Sequence, residues 1–330
     1  MRTHLLKRRT LLGAAVAGAV PAVGRAQQSP AASPVPSHVP HVDLLIDWKP
    51  GPTYAGFYLA RENGGFKQRG LDVRIVEGHG ANVAAEMIGA GKEYWIGSSS
   101  AAATAIGRSR DLPIRSLAVY YRRPPTVLYS RAEDRIDAPR DLVGKRVGLV
   151  AGSTTVEEYR AMLAANRIDR NRIKEVEVDW SPNSLLDRTV DALLDYEELA
   201  PAELQAQGKR IAVMKLADYG LRTYSLNLVV NEMAWLTQER QQIARRIAEA
   251  VQEGYQFVRD KPAQAAAIFG KLFPDFSPRY LELAMQIVAR QLAPPIGSQT
   301  RLGWEDTLKI LSGQRMLARA VSAEEVAIYD

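Results

Sequence analysis

From His41 onward, short runs of β-branched and apolar residues alternate with stretches whose apolar positions recur at helical spacing. Strands are predicted at Val42 to Ile46, Leu71 to Val76, Tyr94 to Ile96, Ile114 to Val119 and Val127 to Tyr129. A second set follows at Arg146 to Val150, Val176 to Val178, Ala192 to Leu194, Ile211 to Met214 and Leu226 to Val230. Between them the pattern predicts helices at Ala55 to Arg61, Asn82 to Ala90, Ala101 to Arg108, Thr155 to Ala164, Asn183 to Thr189 and Pro201 to Gln207. After Val230 it turns helical, across Gln238 to Val258 and around Pro262, Pro278 and Trp304. Such alternation makes open α/β sheets, and no repeat of about 20 to 50 residues recurs, which excludes solenoids.

The order of elements is one set of β/α units, a second set, a late strand and a helical tail. A second lobe inserted into the first accounts for it: residues 41–129 and 225–330 form lobe 1, and residues 130–224 form lobe 2. Two extended crossings, near Val127 to Ser130 and Tyr224 to Val230, would join them at a hinge. The expected fold is thus α/β, a two-lobed clamshell with a mixed sheet in each lobe.

The chain opens differently. Lys7-Arg8-Arg9-Thr10-Leu11-Leu12 sets a twin arginine before the apolar run Leu11 to Val20, and Gly24-Arg25-Ala26 supplies the small residues of a signal-peptidase site. Residues 1–26 therefore read as a twin-arginine-type signal peptide cleaved near Ala26, although the pattern leaves the general secretory route open. The apolar run is too short for a helix across the roughly 30 Å hydrocarbon core. Gln27 to Pro40, rich in Pro, Ser and Ala, reads as a flexible leader that offers too little burial to offset its ordering entropy. With no cysteine in the chain, a disulfide framework and the acylated cysteine of a lipoprotein are both excluded. A free soluble protein of the bacterial periplasm is expected.

Export changes the meaning of the charge. The whole chain carries +6, which suggests a nucleic-acid partner. Yet Arg2, Lys7, Arg8, Arg9 and Arg25 fall in the signal, which has no acidic residue, so the mature chain is within one charge of neutral. No nucleic-acid partner is expected.

Ligands of open α/β sheets sit at the carboxyl ends of strands, where loops meet helix N-termini. Asp47 and Trp48 follow the first strand, so an indole can stack on a flat heteroaromatic ring while Asp47 accepts a hydrogen bond from a ring amine. The alternative places Trp48 between strand and helix. Ser98 and Ser99, and Ser153, Thr154 and Thr155, precede predicted helices, where hydroxyls and free N–H groups suit a carboxylate, phosphate, sulfonate or carbonyl; simple N-capping is the alternative. Tyr121 ends a strand near a crossing.

Other motifs fail. Gly78-His79-Gly80 lacks the third glycine of a dinucleotide fingerprint and reads as a strand-to-helix turn. The four histidines, His4, His38, His41 and His79, assemble neither a zinc site nor a triad. Glu197-Glu198 and Glu324-Glu325 have no opposing carboxylate. Neither metal nor cofactor is expected.

Several segments carry a family resemblance. Asp47-Trp48-Lys49-Pro50, Ala55-Gly56-Phe57-Tyr58-Leu59-Ala60, Gly64-Gly65-Phe66 and Gly70-Leu71-Asp72-Val73 resemble the opening of periplasmic binding proteins for thiamine pyrimidine precursors. The run Ile136 to Gly148, with Val190-Asp191-Ala192-Leu193 and Asp218-Tyr219-Gly220, is similar to the wider family that includes riboflavin, sulfonate and nitrate binders. The resemblance implies a type II periplasmic-binding-protein clamshell, a monomer without enzymatic activity that takes a small-molecule ligand to an ABC permease. It orders the ligands as thiamine pyrimidine precursor, then riboflavin, then a small sulfonate or other anion. Fungal pyrimidine synthases share the scaffold and use an active-site His and a Cys-rich iron site; this chain has Tyr54 at the matching His and no Cys. It also has Gly51 for an Asn of the pattern, and Ala200-Pro201 for a Glu-Pro pair. Asp195, Tyr196, Glu197 and Glu198 lie just upstream, and Tyr196 and Glu198 are expected to substitute as ring and carboxylate.

Overall fold

The computed structural model describes residues 39–151 and 153–329. The expected signal peptide, and the leader up to residue 38, lie outside the described residues. No helix among the described residues is long and apolar enough to cross a membrane.

The first sheet is entered by β1 (His41–Leu45), α1 (Ala55–Glu62), α2 (Gly65–Gln68), β2 (Asp72–Val76), α3 (Ala81–Ala90), β3 (Ile96–Ser100), α4 (Ala101–Ser109) and β4 (Ile114–Val119). The chain then builds the second sheet from β5 (Thr126–Arg131), β6 (Arg146–Leu149), α5 (Thr154–Ala165), β7 (Lys174–Glu177), α6 (Asn183–Leu186), β8 (Ala192–Tyr196), α7 (Ala200–Ala206) and β9 (Ile211–Lys215). It returns through β10 (Leu226–Asn231) and ends in α8 (Glu232–Trp235), α9 (Gln238–Asp260), α10 (Pro262–Leu272), α11 (Pro278–Gln291), α12 (Arg301–Gly313) and α13 (Ala323–Val326).

Strand order is β2-β1-β3-β10-β4 in the first sheet and β7-β6-β8-β5-β9 in the second. Each sheet holds one antiparallel strand: β10 runs between β3 and β4, and β5 between β8 and β9. The ranges expected as crossings, Val127 to Ser130 and Tyr224 to Val230, fall mostly within β5 and β10. The register explains the shift, because Thr126 to Ser130 pair residue by residue with Tyr196 to Ala192. Residues 126–129, expected in lobe 1, thus belong to the second sheet, and the connections lie just ahead of the two strands. There they bond to each other: Ser225 N–H donates to Tyr121 O (2.9 Å) and Tyr120 N–H to Leu226 O (2.9 Å).

Successive residues on the central strands point to opposite faces, and both faces are covered. In the first sheet Leu44, Ile96 and Leu228 meet α1, α9, α10 and α11, whereas Leu45 and Val229 meet α3 and α4. Leu128 and Leu194 of the second sheet meet α5, and Tyr129 and Leu193 face Leu185 and Leu204 of α6 and α7. Helix α9 is long because Ile243, Ile247, Ala250, Val251, Gly254, Tyr255 and Val258 keep one apolar stripe inward, and Thr237 caps its start by accepting from Arg240 N–H. Its closest partner is α1. A Cβ on Gly254 would lie 1.9 Å from Gly56 O, and one on Gly56 would lie 2.3 Å from the Tyr255 ring. Gly254→Ala is accordingly expected to cost about 1–3 kcal/mol by overpacking, read as a lowered midpoint in urea unfolding; an unchanged midpoint would show that the helices separate freely.

Candidate functional site

A cleft of about 700 Å³ opens where the loops after β1, β2, β6, β7 and β8 converge. Its first-sheet side carries Asp47, Trp48 and Tyr54, and its second-sheet side Ser153, Thr154, Thr155 and Tyr196. These seven residues were all expected at the site from sequence.

Asp47 is fixed from several directions. Its backbone N–H donates to Ser98 Oγ (2.9 Å), and the Ser98 hydroxyl donates in turn to the Asp47 carboxylate. Gly80 N–H holds Asp47 O at 2.8 Å, and Gly78 N–H reaches Trp48 O. The loops after β1 and β2 approach so closely that a Cβ on Gly78 would sit 2.3 Å from Ile46 O. Gly78-His79-Gly80 is therefore the β2-to-α3 turn expected from sequence. Burial pushes the Asp47 carboxyl above its ordinary range, and the Tyr54 hydroxyl lies beside it, itself raised well above the phenol range by burial.

The Trp48 ring is not core. The residue keeps 38% of its surface exposed, and its indole faces Trp180, from the loop after β7, at 6.2 Å between ring centroids and a tilt of 57°. Across the cleft, Ser153 stands at the N-cap position of α5, where its carbonyl accepts from Val156 N–H (3.3 Å) but its side chain makes no capping hydrogen bond. Its Oγ instead pairs with Thr155 Oγ1 at 2.6 Å.

Four expected site residues lie outside the cleft lining. Ser98 and Ser99 belong to β3, which continues through Ser100 because β10 pairs with it along its whole length. Both are fully buried; Ser98 positions Asp47, and Ser99 Oγ donates to Ala81 O (2.9 Å). Ser100 is the residue that caps α4, accepting from Ala103 N–H. Tyr121 is fully buried behind the cleft, edge-on to Tyr255 at 6.2 Å. Glu198, also fully buried, accepts from Thr53 Oγ1 (2.9 Å) and Gln291 Nε2 (3.1 Å), while its carbonyl accepts from Tyr280 OH (3.2 Å). It ties the segment after β8 to the first sheet's helices.

Residues 51–265 match the family model described as NMT1/THI5 like. The chain belongs to the NMT1/THI5-like family. A formylaminopyrimidine-binding protein of Halalkalibacterium halodurans is 25% identical over 293 residues, covering 86% of this chain and 88% of that one. A 4-amino-5-hydroxymethyl-2-methylpyrimidine phosphate synthase of Saccharomyces cerevisiae is 24% identical over 252 residues, 72% of each chain. The periplasmic aliphatic sulphonate binding protein SsuA of Escherichia coli shares the fold, with a TM-score of 0.70 at 14% identity over 88% of this chain and 92% of that one. The two-lobed periplasmic-binding-protein clamshell expected from sequence is the fold of this family member.

Sequence reasoning missed Trp180, which no local pattern distinguishes from a surface residue. Asp195 was noted as a substitute carboxylate but not placed at the site; it lines the cleft and accepts from Tyr196 N–H (2.7 Å) and Ala200 N–H (3.2 Å). Burial raises Asp195 and Glu198 to about 7, and raises Glu158, whose carboxylate accepts from Thr126 behind the cleft, to about 7 as well.

A carboxyl raised in this way keeps its proton in the fold at a pH where the unfolded chain has released it. Its contribution is complete below the ordinary carboxylate range and is lost as pH climbs through about 7. Asp43 and Asp191, held low by hydrogen bonds from Arg74 and Arg146, stay ionised throughout that window. The protein is thus expected to unfold at a higher temperature at pH 5 than at pH 8, and Glu198→Gln to narrow the difference. Calorimetry at both values checks this, and an equal difference in the variant would count against Glu198 as a contributor.

Proposed function

We propose that this protein is the solute-binding component of an ABC importer and captures a flat, amine-bearing nitrogen heterocycle of the aminopyrimidine class. The observation that carries the reading is the exposed Trp48 ring beside the buried Asp47 carboxylate, at the carboxyl end of β1. An indole face offers a planar ligand stacking, and a desolvated carboxylate offers an acceptor to a ring amine.

Charge along the cleft supports the same class. Asp195 and Glu203 add carboxylates, the cationic Lys49 is exposed, and no arginine is among the lining residues. An anion would find Lys49, Asn82 and the hydroxyls of Ser153 to Thr155 there, set against the carboxyls of Asp47, Asp195 and Glu203. The named activity of the Halalkalibacterium relative agrees with an aminopyrimidine ligand. Against the synthase reading, Tyr54 occupies the position where the resemblance puts an active-site His, and the chain has no cysteine.

In this reading the ligand touches both lobes only when the cleft closes, so binding shifts the hinge equilibrium toward the form that docks on the permease. The chain is exported and acts as a monomer in the periplasm.

The test is a thermal-shift series on the chain from Gln27 with 4-amino-5-hydroxymethyl-2-methylpyrimidine, thiamine, riboflavin, taurine and alkanesulfonates. A ligand at one hundred times its Kd adds about 2.7 kcal/mol of stability, and the aminopyrimidine is expected to raise the unfolding temperature by several degrees. Response to sulfonates alone would sink the heterocycle reading in favour of an anion site at Ser153. Trp48→Ala is expected to weaken the aminopyrimidine about tenfold, in keeping with the ~0.5–1.5 kcal/mol of an aromatic pair, without lowering the stability of the free protein.

A further inference from the structure

We propose that Trp180 is the second wall of the ligand site, and that the bound ring lies between Trp48 and Trp180. This rests on the heterocycle reading above and specifies how that site grips its ligand.

Both indoles are exposed, Trp48 at 38% and Trp180 at 44%, and both line the cleft. A large ring left in water forgoes burial that an interior position would supply. Among the described residues, the one aromatic ring within contact of Trp180 is Trp48. The two come from different sheets, each from the loop at the carboxyl end of a parallel strand, β1 and β7.

The Trp180 loop is built from behind. Asp179 Oδ1 accepts from Ser181 N–H (2.9 Å), Ser181 Oγ accepts from Asn183 N–H (3.2 Å), and Pro182 O receives Leu185 N–H (3.0 Å) at the start of α6. Leu185 is itself fully buried. The backbone is fixed while the indole stands free above it.

Spacing identifies what fits. A planar ring stacked on both sides needs about 7 Å between its walls, two contacts of about 3.5 Å. The observed 6.2 Å and 57° fall slightly short, so the walls must part by less than ~1 Å and turn parallel to admit one ring. That gap suits a single layer of heteroaromatic atoms and rejects a tetrahedral sulfonate head. Because the walls belong to different sheets, a ring held between them touches both lobes at once.

Isothermal titration with 4-amino-5-hydroxymethyl-2-methylpyrimidine tests the proposal on the wild type, Trp180→Ala, Trp180→Phe and Trp48→Ala, alongside unfolding of the free proteins. Trp180→Ala is expected to weaken binding about tenfold, with the unfolding temperature unchanged, and Trp180→Phe to recover most of the loss. Wild-type affinity in Trp180→Ala with weakened affinity in Trp48→Ala overturns the second wall and leaves the heterocycle reading standing. A matching loss of stability in free Trp180→Ala makes the residue a brace between lobes and also overturns the proposal. Absence of binding by the wild type removes both readings together.

Discussion

The constraint on which the rest of the structure depends is the pair of crossings between the two sheets, each followed at once by an antiparallel strand inside the sheet it enters. Strand β5 is the first element after the chain leaves the first sheet, yet it lies antiparallel between β8 and β9; β10 returns to lie antiparallel between β3 and β4. Each sheet is therefore completed by a strand that directly follows a crossing, and the two crossings run side by side, joined by the Tyr121–Ser225 hydrogen bond. A pair of short, mutually bonded connections limits the freedom of the lobes to a hinge. It also turns the carboxyl ends of the parallel strands of both sheets toward one space, so residues more than one hundred positions apart in sequence meet there.

Within that space the energetic burden falls on buried carboxylates, since an ionised group taken out of water is costly unless hydrogen bonds replace its hydration. Each has a specific remedy. Asp47 has the Ser98 hydroxyl, Asp195 the N–H groups of Tyr196 and Ala200, and Glu198 has Thr53 and Gln291. Asp47 and Asp195 are presented to the cleft, whereas Glu198 spends its acceptors on joining the β8 segment to the first sheet's helices. The aromatic group behind them continues the same positioning: Tyr255 donates to Thr53 O at 2.7 Å and packs on Tyr120 with centroids 4.8 Å apart.

The alternation of apolar runs made the architecture legible in the sequence, because the central strands are buried on both faces and the long helices on one. Ile114 to Val119 is found with the predicted bounds, and a late strand, β10, returns to the first sheet after the second is complete, as the element order suggested. What misled was small and polar. Ser98, Ser99 and Ser100 look like a loop because nothing local reveals that β10, far along the chain, completes the sheet beside them. Glu198 looked like a ligand group for the same reason: Thr53 and Gln291 are separated from it by 145 and 93 positions. Asp47, Trp48 and Ser153 were legible because strand ends and helix starts are local features. Trp180 was not, since only the pairing of β7 with β6 brings it opposite Trp48.

The five tryptophans are distributed so that the molecule carries its own optical reporter. Trp304 is fully buried against Tyr224, Trp95 lies beneath the Arg240 guanidinium, and Trp235 is paired with Arg245. Trp95 and Trp235 stand on the first sheet's side alone, whereas Trp304 packs on Tyr224 beside the Ser225 crossing. Trp48 and Trp180 face each other across the gap, so their emission depends directly on how the two sheets stand to one another. A change in the intensity or wavelength of indole fluorescence thus reports the aperture of the unlabelled protein, with no probe attached and no residue replaced.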